Sequence, residues 1–106
     1  MDVVAFLGEF PVGDPEAMRR AARRLHAQAE RIRTVGERAA QSADATTFEC
    51  AAADRFRSVV RDTRAGCIRD AERVRAVADY LSRAASRLER RQAEWRRAAA
   101  RLRQEV

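Results

Sequence analysis

The sequence predicts an all-α protein built on two long helices, and three observations support this. Both prolines, Pro11 and Pro15, lie near the N-terminus, so no later proline interrupts a helix. Alanine and arginine, both strong helix formers, dominate the composition. Along two segments, small or apolar side chains recur at alternating steps of three and four residues, the spacing of one helix face. The length of 106 residues predicts a single domain.

The N-terminal third predicts an arm and a first helix. Residues 1–13 form the apolar arm, and the first helix is predicted over residues 14–43. Asp14 is expected to cap this helix, because its carboxylate can accept backbone N–H bonds and Pro15 suits the first helical position. The predicted inner face consists of Met18, Ala22, Leu25, Ala29, Ile32, Gly36 and Ala39.

A polar turn over residues 44–48 precedes a second, longer helix predicted over residues 49–104. Thr46 and Glu49 match a capping box, in which each side chain bonds the other residue's free backbone N–H. Gly66 costs about 1 kcal/mol relative to alanine in a helix, so the sequence allows a kink near it. The stripe of this helix runs through Phe56, Val60, Thr63, Cys67, Asp70 or Ala71, Val74, Val77, Leu81, Ala84, Leu88, Arg91 or Gln92, Trp95, Ala98 and Leu102.

Two striped helices joined by a short turn predict an antiparallel helical hairpin. The second helix outruns the first, so Leu88, Trp95 and Leu102 need cover from the arm, another chain or a downstream domain. An alanine-rich core is thin, which favours pairing of two hairpins into a four-helix bundle. The residues expected to pack and to pair are Leu25, Ile32, Phe56, Val60, Val74, Val77, Leu81, Leu88 and Trp95.

All 22 basic residues are arginine, and the net charge is +6. Residues 83–106 carry eight arginines against three acids, which could attract nucleic acid or an anionic membrane. Trp95 is the one aromatic residue there, so we favour a solvated face or an acidic protein partner and do not expect nucleic acid. No apolar run approaches the roughly 20 residues of a membrane span, and the N-terminus lacks a secretory signal.

Few residues are suited to catalysis. Counted back from the turn, Cys67 falls opposite Leu25 and His26, but no third group orients such a pair and Cys67 lies on the packing stripe. The sequence therefore predicts no enzyme, no metal site and no cofactor. A disulfide between Cys50 and Cys67 within one helix is excluded, since they are about 25 Å apart at helical rise. A disulfide between two chains, through Cys50 or Cys67, stays open.

Two segments carry a resemblance to a known family. "FECAAADRFR" (48–57) and "VGDPEAMRRAARRLHAQAERI" (12–32) resemble the WXG family of small helical-hairpin proteins of bacterial type VII secretion, and especially the N-terminal targeting domains of actinobacterial polymorphic toxins. The resemblance covers residues 12–90. It places Phe48 at the Trp position and Cys50 at the Gly position of the turn motif Phe48-Glu49-Cys50, with Phe48 closing the end of the hairpin.

The resemblance implies a non-enzymatic protein that pairs with itself or another hairpin, as a secreted effector subunit or a partner of a secreted toxin. A toxin or a secretion ATPase is the implied further partner. The implied location is the cytoplasm before leaderless export, then the medium or cell surface. The family's export signal, Tyr followed four residues later by an acid, is not intact, because Ala84 follows Tyr80 at that spacing. The alternatives are a basic nucleic-acid-binding protein and a structural coiled-coil or membrane-surface protein.

Overall fold

The computed structural model describes residues 2–105 and is all-α in that range, with no strand. A short helix α1 (Val3–Leu7) lies in the N-terminal arm, and two long helices follow, α2 (Pro15–Asp44) and α3 (Ala51–Gln104). The molecule is a rod of 85 × 16 × 12 Å. Since 54 residues of helix measure about 81 Å at 1.5 Å per residue, α3 alone accounts for the length of the rod.

The two long helices lie side by side and run in opposite directions. Arg19 on α2 bonds Glu89 on α3, His26 lies against Asp79, and Glu30 bonds Arg75. The residue number on α3 thus falls as that on α2 rises. Among the described residues, no helix is long and apolar enough to cross a membrane.

The contact between α2 and α3 is built from one heptad row on each helix. The buried residues of α2 are Ala22, Ala29, Gly36 and Ala43. Those of α3 are Ala71, Ala78, Ala85, Gln92 and Ala99. Ala29, Ala78 and Ala85 are completely inaccessible to solvent. We call these two sets the contact rows. Their small side chains let the backbones of α2 and α3 approach closely.

Gly36 marks a point of very close approach. A Cβ atom at this position would lie 2.8 Å from Cys67 Cβ and 3.4 Å from the Cα of Arg64, which belongs to the α3 backbone. The backbone of Gly36 is ordinary helix, so steric contact with α3, and not conformational freedom, explains the glycine. Gly66 differs, because the nearest atom to its hypothetical Cβ is the terminal Nη2 of Arg69, 3.7 Å away.

The two helices are offset because the connection between them, residues 45–50, runs alongside the first turns of α3 before α3 begins. Gly36 lies opposite Cys67, so Asp44, the last residue of α2, falls opposite about Val59. The first two turns of α3, from Ala51, therefore stand beyond the end of α2. Arg57 on these turns bonds residues 46 and 48 of the connection, whereas the sequence predicts a short polar turn over residues 44–48. The offset also leaves Phe48 exposed, at 73 %, so it does not close the end of the helix pair.

Arg57 holds this connection. Its Nη2 donates to the carbonyl oxygens of Thr46 and Phe48, both at 2.7 Å, and its Nη1 bonds Asp54 at 3.1 Å. The arginine side chain is only 17 % exposed. A charged donor that bonds two carbonyls stabilises an extended segment that has no helix or sheet partners of its own.

The helix ends differ in how they match the sequence prediction. The carboxylate of Asp14 accepts the N–H of Ala17 at 3.1 Å and caps α2, and α3 continues as a helix through Gly66. The N-cap of α3 is Cys50, whose Sγ accepts from Ala53 N at 3.4 Å, instead of the expected capping box of Thr46 and Glu49. Thr46 donates its hydroxyl to Ser42 O and thus belongs to the end of α2. The box does not form because α3 begins two residues later than predicted.

The two helical glycines allow a matched test of the close approach. We expect Gly66→Ala to stabilise the protein by about 1 kcal/mol through helix propensity. Gly36→Ala should lose this gain and destabilise by about 1–3 kcal/mol, because its methyl group overpacks the contact row. Urea unfolding followed by circular dichroism measures both. Equal effects of the two substitutions would show that the helices are not in tight contact at Gly36.

Candidate interaction surface

With the exception of Ile68, the large apolar side chains that flank the contact rows lie on one side of the helix pair. On α2, Met18, Leu25 and Ile32 each precede a contact-row residue by four positions, and on α3 the same holds for Cys67, Val74, Leu81, Leu88 and Trp95. All are half-buried. In an antiparallel pair, positions shifted to the same side on both helices fall on the same face of the pair. We call this side of the pair, together with Val60, the apolar face.

Beyond the half-buried rows, a further row of the apolar face is open to solvent. Val35 on α2 and Phe56 and Val77 on α3 are 64 %, 53 % and 52 % exposed, respectively. Each lies about 100° around its helix from the contact row, on the same side as the half-buried residues. Phe56 lies on the turns of α3 beyond the end of α2. At Val77 the apolar stripe of α3 is wider than the surface that α2 covers. In this row of α3, Thr63 and Asp70 stand between Phe56 and Val77. Exposed apolar side chains grouped on one face indicate an interaction site.

Apart from the half-buried Ile68, the opposite face of the pair is polar, and ion pairs bridge it. Arg19 Nη1 lies 2.7 Å from Glu89 Oε2, His26 Nε2 lies 3.2 Å from Asp79 Oδ1, and Arg75 bonds Glu30. The hydrogen bond from Arg19 lowers the pKa of Glu89, and the bond to Glu89 raises the pKa of Arg19. Ion pairs at such exposure contribute little stability. They do, however, distinguish the two faces: one is satisfied within the chain, and the other is apolar and open.

The N-terminal arm covers the end of α3 that α2 does not reach. Val3 of α1 is buried, and α1 contacts α3. Gln92 continues the contact row of alanines and is 7 % exposed. Its Nε2 donates to the carbonyl oxygens of Pro11 and Gly13, both at 3.0 Å. A polar residue is suited to this place because α3 here contacts the free carbonyl groups of a non-helical backbone. The preceding turns of α3 pack against α2 instead.

Trp95 is the centre of the arm contact. Its indole Nε1 donates to Gly8 O at 3.1 Å, and the ring of Phe10 stacks on it with centroids 5.4 Å apart. The Arg96 guanidinium lies 4.9 Å from the centroid of the Phe10 ring and makes a cation–π contact with it. Gly13 has a positive φ of 144°, and a Cβ there would lie 2.6 Å from Leu88 Cδ2. The sequence left three possible covers for this end of α3: the arm, another chain or a downstream domain. In the structure the arm lies against it.

The residues considered for chemistry lie apart. Cys67 faces Gly36, whereas His26 faces Asp79. Gly36 and His26 are about 15 Å apart along α2 at helical rise. The offset of the two helices thus places Cys67 away from its expected position opposite Leu25 and His26. Cys50, at the α3 N-terminus, is exposed, and both cysteines are free thiols. Within residues 2–105, no group of three His, Cys, Asp or Glu side chains is placed to hold a metal ion.

The structure places the predicted pairing residues in three environments. Leu25, Ile32, Val60, Val74, Leu81 and Leu88 line the apolar face and are half-buried. Phe56 and Val77 are exposed beside them, and Trp95 is engaged by the arm. The role of Gln92 in the arm contact and that of Arg57 at the connection were not predicted from the sequence. For Gln92 the available signal was a polar residue that interrupts a heptad row of alanines.

Trp95 is the only tryptophan, so its fluorescence reports directly on the arm. We expect Phe10→Ala to shift the emission to longer wavelength and to destabilise by about 1–2 kcal/mol, since it removes the stacked ring. Phe6→Ala is the matched control, because Phe6 is 67 % exposed and should leave the emission unchanged. An unchanged spectrum for Phe10→Ala would contradict the docked position of the arm.

No family model, no curated protein and no solved structure matches this chain.

Proposed function

We propose that this protein is a non-catalytic helical hairpin that pairs through its apolar face with a second hairpin to form a four-helix bundle. The observation that carries the proposal is the exposed row of Val35, Phe56 and Val77 beside the half-buried apolar rows. A single pair of helices leaves this row in water. A second pair that packs its own apolar face against it would bury the row, with the ion-paired face outward.

The biological setting we propose is type VII secretion, in which the protein serves as a secreted effector subunit or as the partner of a secreted toxin. The support is the resemblance of residues 12–32 and 48–57 to WXG-type hairpins, together with the long helix pair. The absence of an acid four residues after Tyr80 suggests that a partner supplies the export signal. Secretion would be leaderless, and the second hairpin would be another copy or a different chain.

Pairing can be tested with one substitution on each side of α3. Val77→Glu places a charge in the proposed interface, and Ala76→Glu places the same charge on the adjacent, outward side. We expect Val77→Glu to weaken pairing by at least about tenfold, because an uncompensated carboxylate in an apolar interface costs more than about 1.4 kcal/mol. Ala76→Glu should pair as the native chain does.

Light scattering after size exclusion, over a dilution series, measures self-association. If the native chain is a folded monomer throughout, pairing of two copies is contradicted. The same variants are then used with candidate hairpins encoded beside the gene. Equal loss for both glutamate variants would contradict the proposed face.

Secretion is tested in the native bacterium with a tagged chromosomal copy. We expect the protein in the medium of the parent strain and its retention in cells when the type VII secretion ATPase is deleted. A cytoplasmic enzyme measured in the same medium controls for lysis. Equal amounts in both media, with no lysis, would show that export does not use this route.

A further inference from the structure

The back of α3, turned away from α2, carries a long row of arginines. The row advances by alternating steps of four and three residues from position 69 to 101, which keeps it on one side of the helix. Seven of its ten positions are arginine, and all seven are exposed: Arg69, Arg73, Arg83, Arg87, Arg90, Arg97 and Arg101. We call these seven residues the basic stripe. The three other positions in the row are Ala76, Tyr80 and Glu94.

The charge of the basic stripe is mostly unpaired. Within residues 2–105, Arg73 is the one member with an ion pair, to Asp70 at 3.6 Å. Arg87 lies over the ring of Tyr80, 5.8 Å from its centroid. Glu94 is the one acid in the row, and the nearby Glu89 bonds Arg19 on the polar face. Toward the C-terminal end of α3 positive charge therefore predominates in the row, with Glu94 as its one acid.

The basic stripe lies on a different side of the molecule from the apolar face. Its two heptad rows stand about 150° from the contact row, whereas Phe56 and Val77 stand about 100° from it on one side. A partner that covers the apolar face would leave the centre of the stripe in solvent. The stripe is thus independent of the proposed pairing and is accessible to a ligand of its own.

We propose that the basic stripe docks the protein onto an anionic phospholipid surface, with α3 lying parallel to the bilayer plane. The stripe is about 48 Å long at 1.5 Å per residue and belongs to a rod only 16 × 12 Å in cross-section. A nearly straight row of charges can touch a plane along its whole length. Arginine guanidinium groups bind phosphate oxygens by paired hydrogen bonds, and several basic residues on one helix add their attractions to acidic lipid.

The same geometry is less suited to the other polyanions. The phosphates of duplex nucleic acid wind around its axis, so a straight row meets them only where a strand crosses it. Tyr80 is the one aromatic residue in the row on which a base could stack. An acidic helix from another protein would need apolar contacts to pack against α3. The row of the basic stripe offers only two uncharged side chains for this, Ala76 and Tyr80.

The test uses the full-length chain and sedimentation with unilamellar vesicles. One set of vesicles is phosphatidylcholine alone, and the other contains phosphatidylserine as one third of the lipid. Arg83, Arg90 and Arg97 are changed to Glu in the stripe variant. The matched control carries Arg24→Glu, Arg31→Glu and Arg38→Glu. These three residues are exposed on the back of α2 and, within residues 2–105, have no ion pair. Both variants change the net charge equally, and glutamate preserves helix propensity.

We expect the native chain to bind the phosphatidylserine vesicles, to ignore phosphatidylcholine, and to lose binding as salt rises. The stripe variant should bind at least about a hundredfold more weakly, given the attraction of each arginine near the surface. The control variant should stay within about threefold of the native chain on that same basis. Thermal unfolding by circular dichroism checks that both variants fold.

Four results would overturn the proposal. These are no binding by the native chain at low salt, equal binding to neutral vesicles, equal losses in the two variants, and tighter binding to duplex DNA than to the phosphatidylserine vesicles. A loss of self-association that leaves lipid binding intact would bear on pairing through the apolar face and not on the basic stripe. The two proposals can thus fail separately.

Discussion

The close approach of α2 and α3 is the constraint on which the rest of the structure depends. Alanine occupies nearly every contact-row position, and Gly36 stands where a methyl group would meet Cys67 and the α3 backbone. At this spacing no large side chain fits between the helices. Leu25, Val74 and their neighbours are displaced to one side and cover the contact rows from there. The apolar face is therefore a direct consequence of the small residues between the helices.

The unequal lengths of α2 and α3 create two ends that need different solutions. At one end, the first turns of α3 extend beyond α2, and Arg57 binds two carbonyl oxygens of the connection between the helices. At the other end, the arm replaces α2 as the neighbour of α3. Gln92 and Trp95 bond its backbone, and Phe10 completes the contact by stacking. Both ends use side-chain donors on α3 because the segments they hold lack helical hydrogen bonds.

Charge and apolarity are separated around the circumference of the rod. Ion pairs bridge the polar face across α2 and α3. The apolar face is left partly exposed, and on the back of α3 arginines outnumber acids. Such a molecule can hold a protein partner and an anionic surface on different sides at the same time. This arrangement supports an adaptor or subunit role in our proposal, with no need for a catalytic centre.

The sequence by itself determined the all-α class, the positions of the long helices to within two residues, the Asp14 cap and the existence of an apolar stripe on each helix. These features depend on local propensity, capping and periodicity, which act within a few residues. The tertiary structure decided how α2 and α3 are offset, which part of the wide α3 stripe is buried, and what covers Trp95. The offset followed from a connection that extends to Cys50, so the expected neighbours of Cys67 moved and Phe48 stayed exposed. Periodicity specifies a face, but contact between distant segments specifies which portion of that face is buried and which is left for a partner.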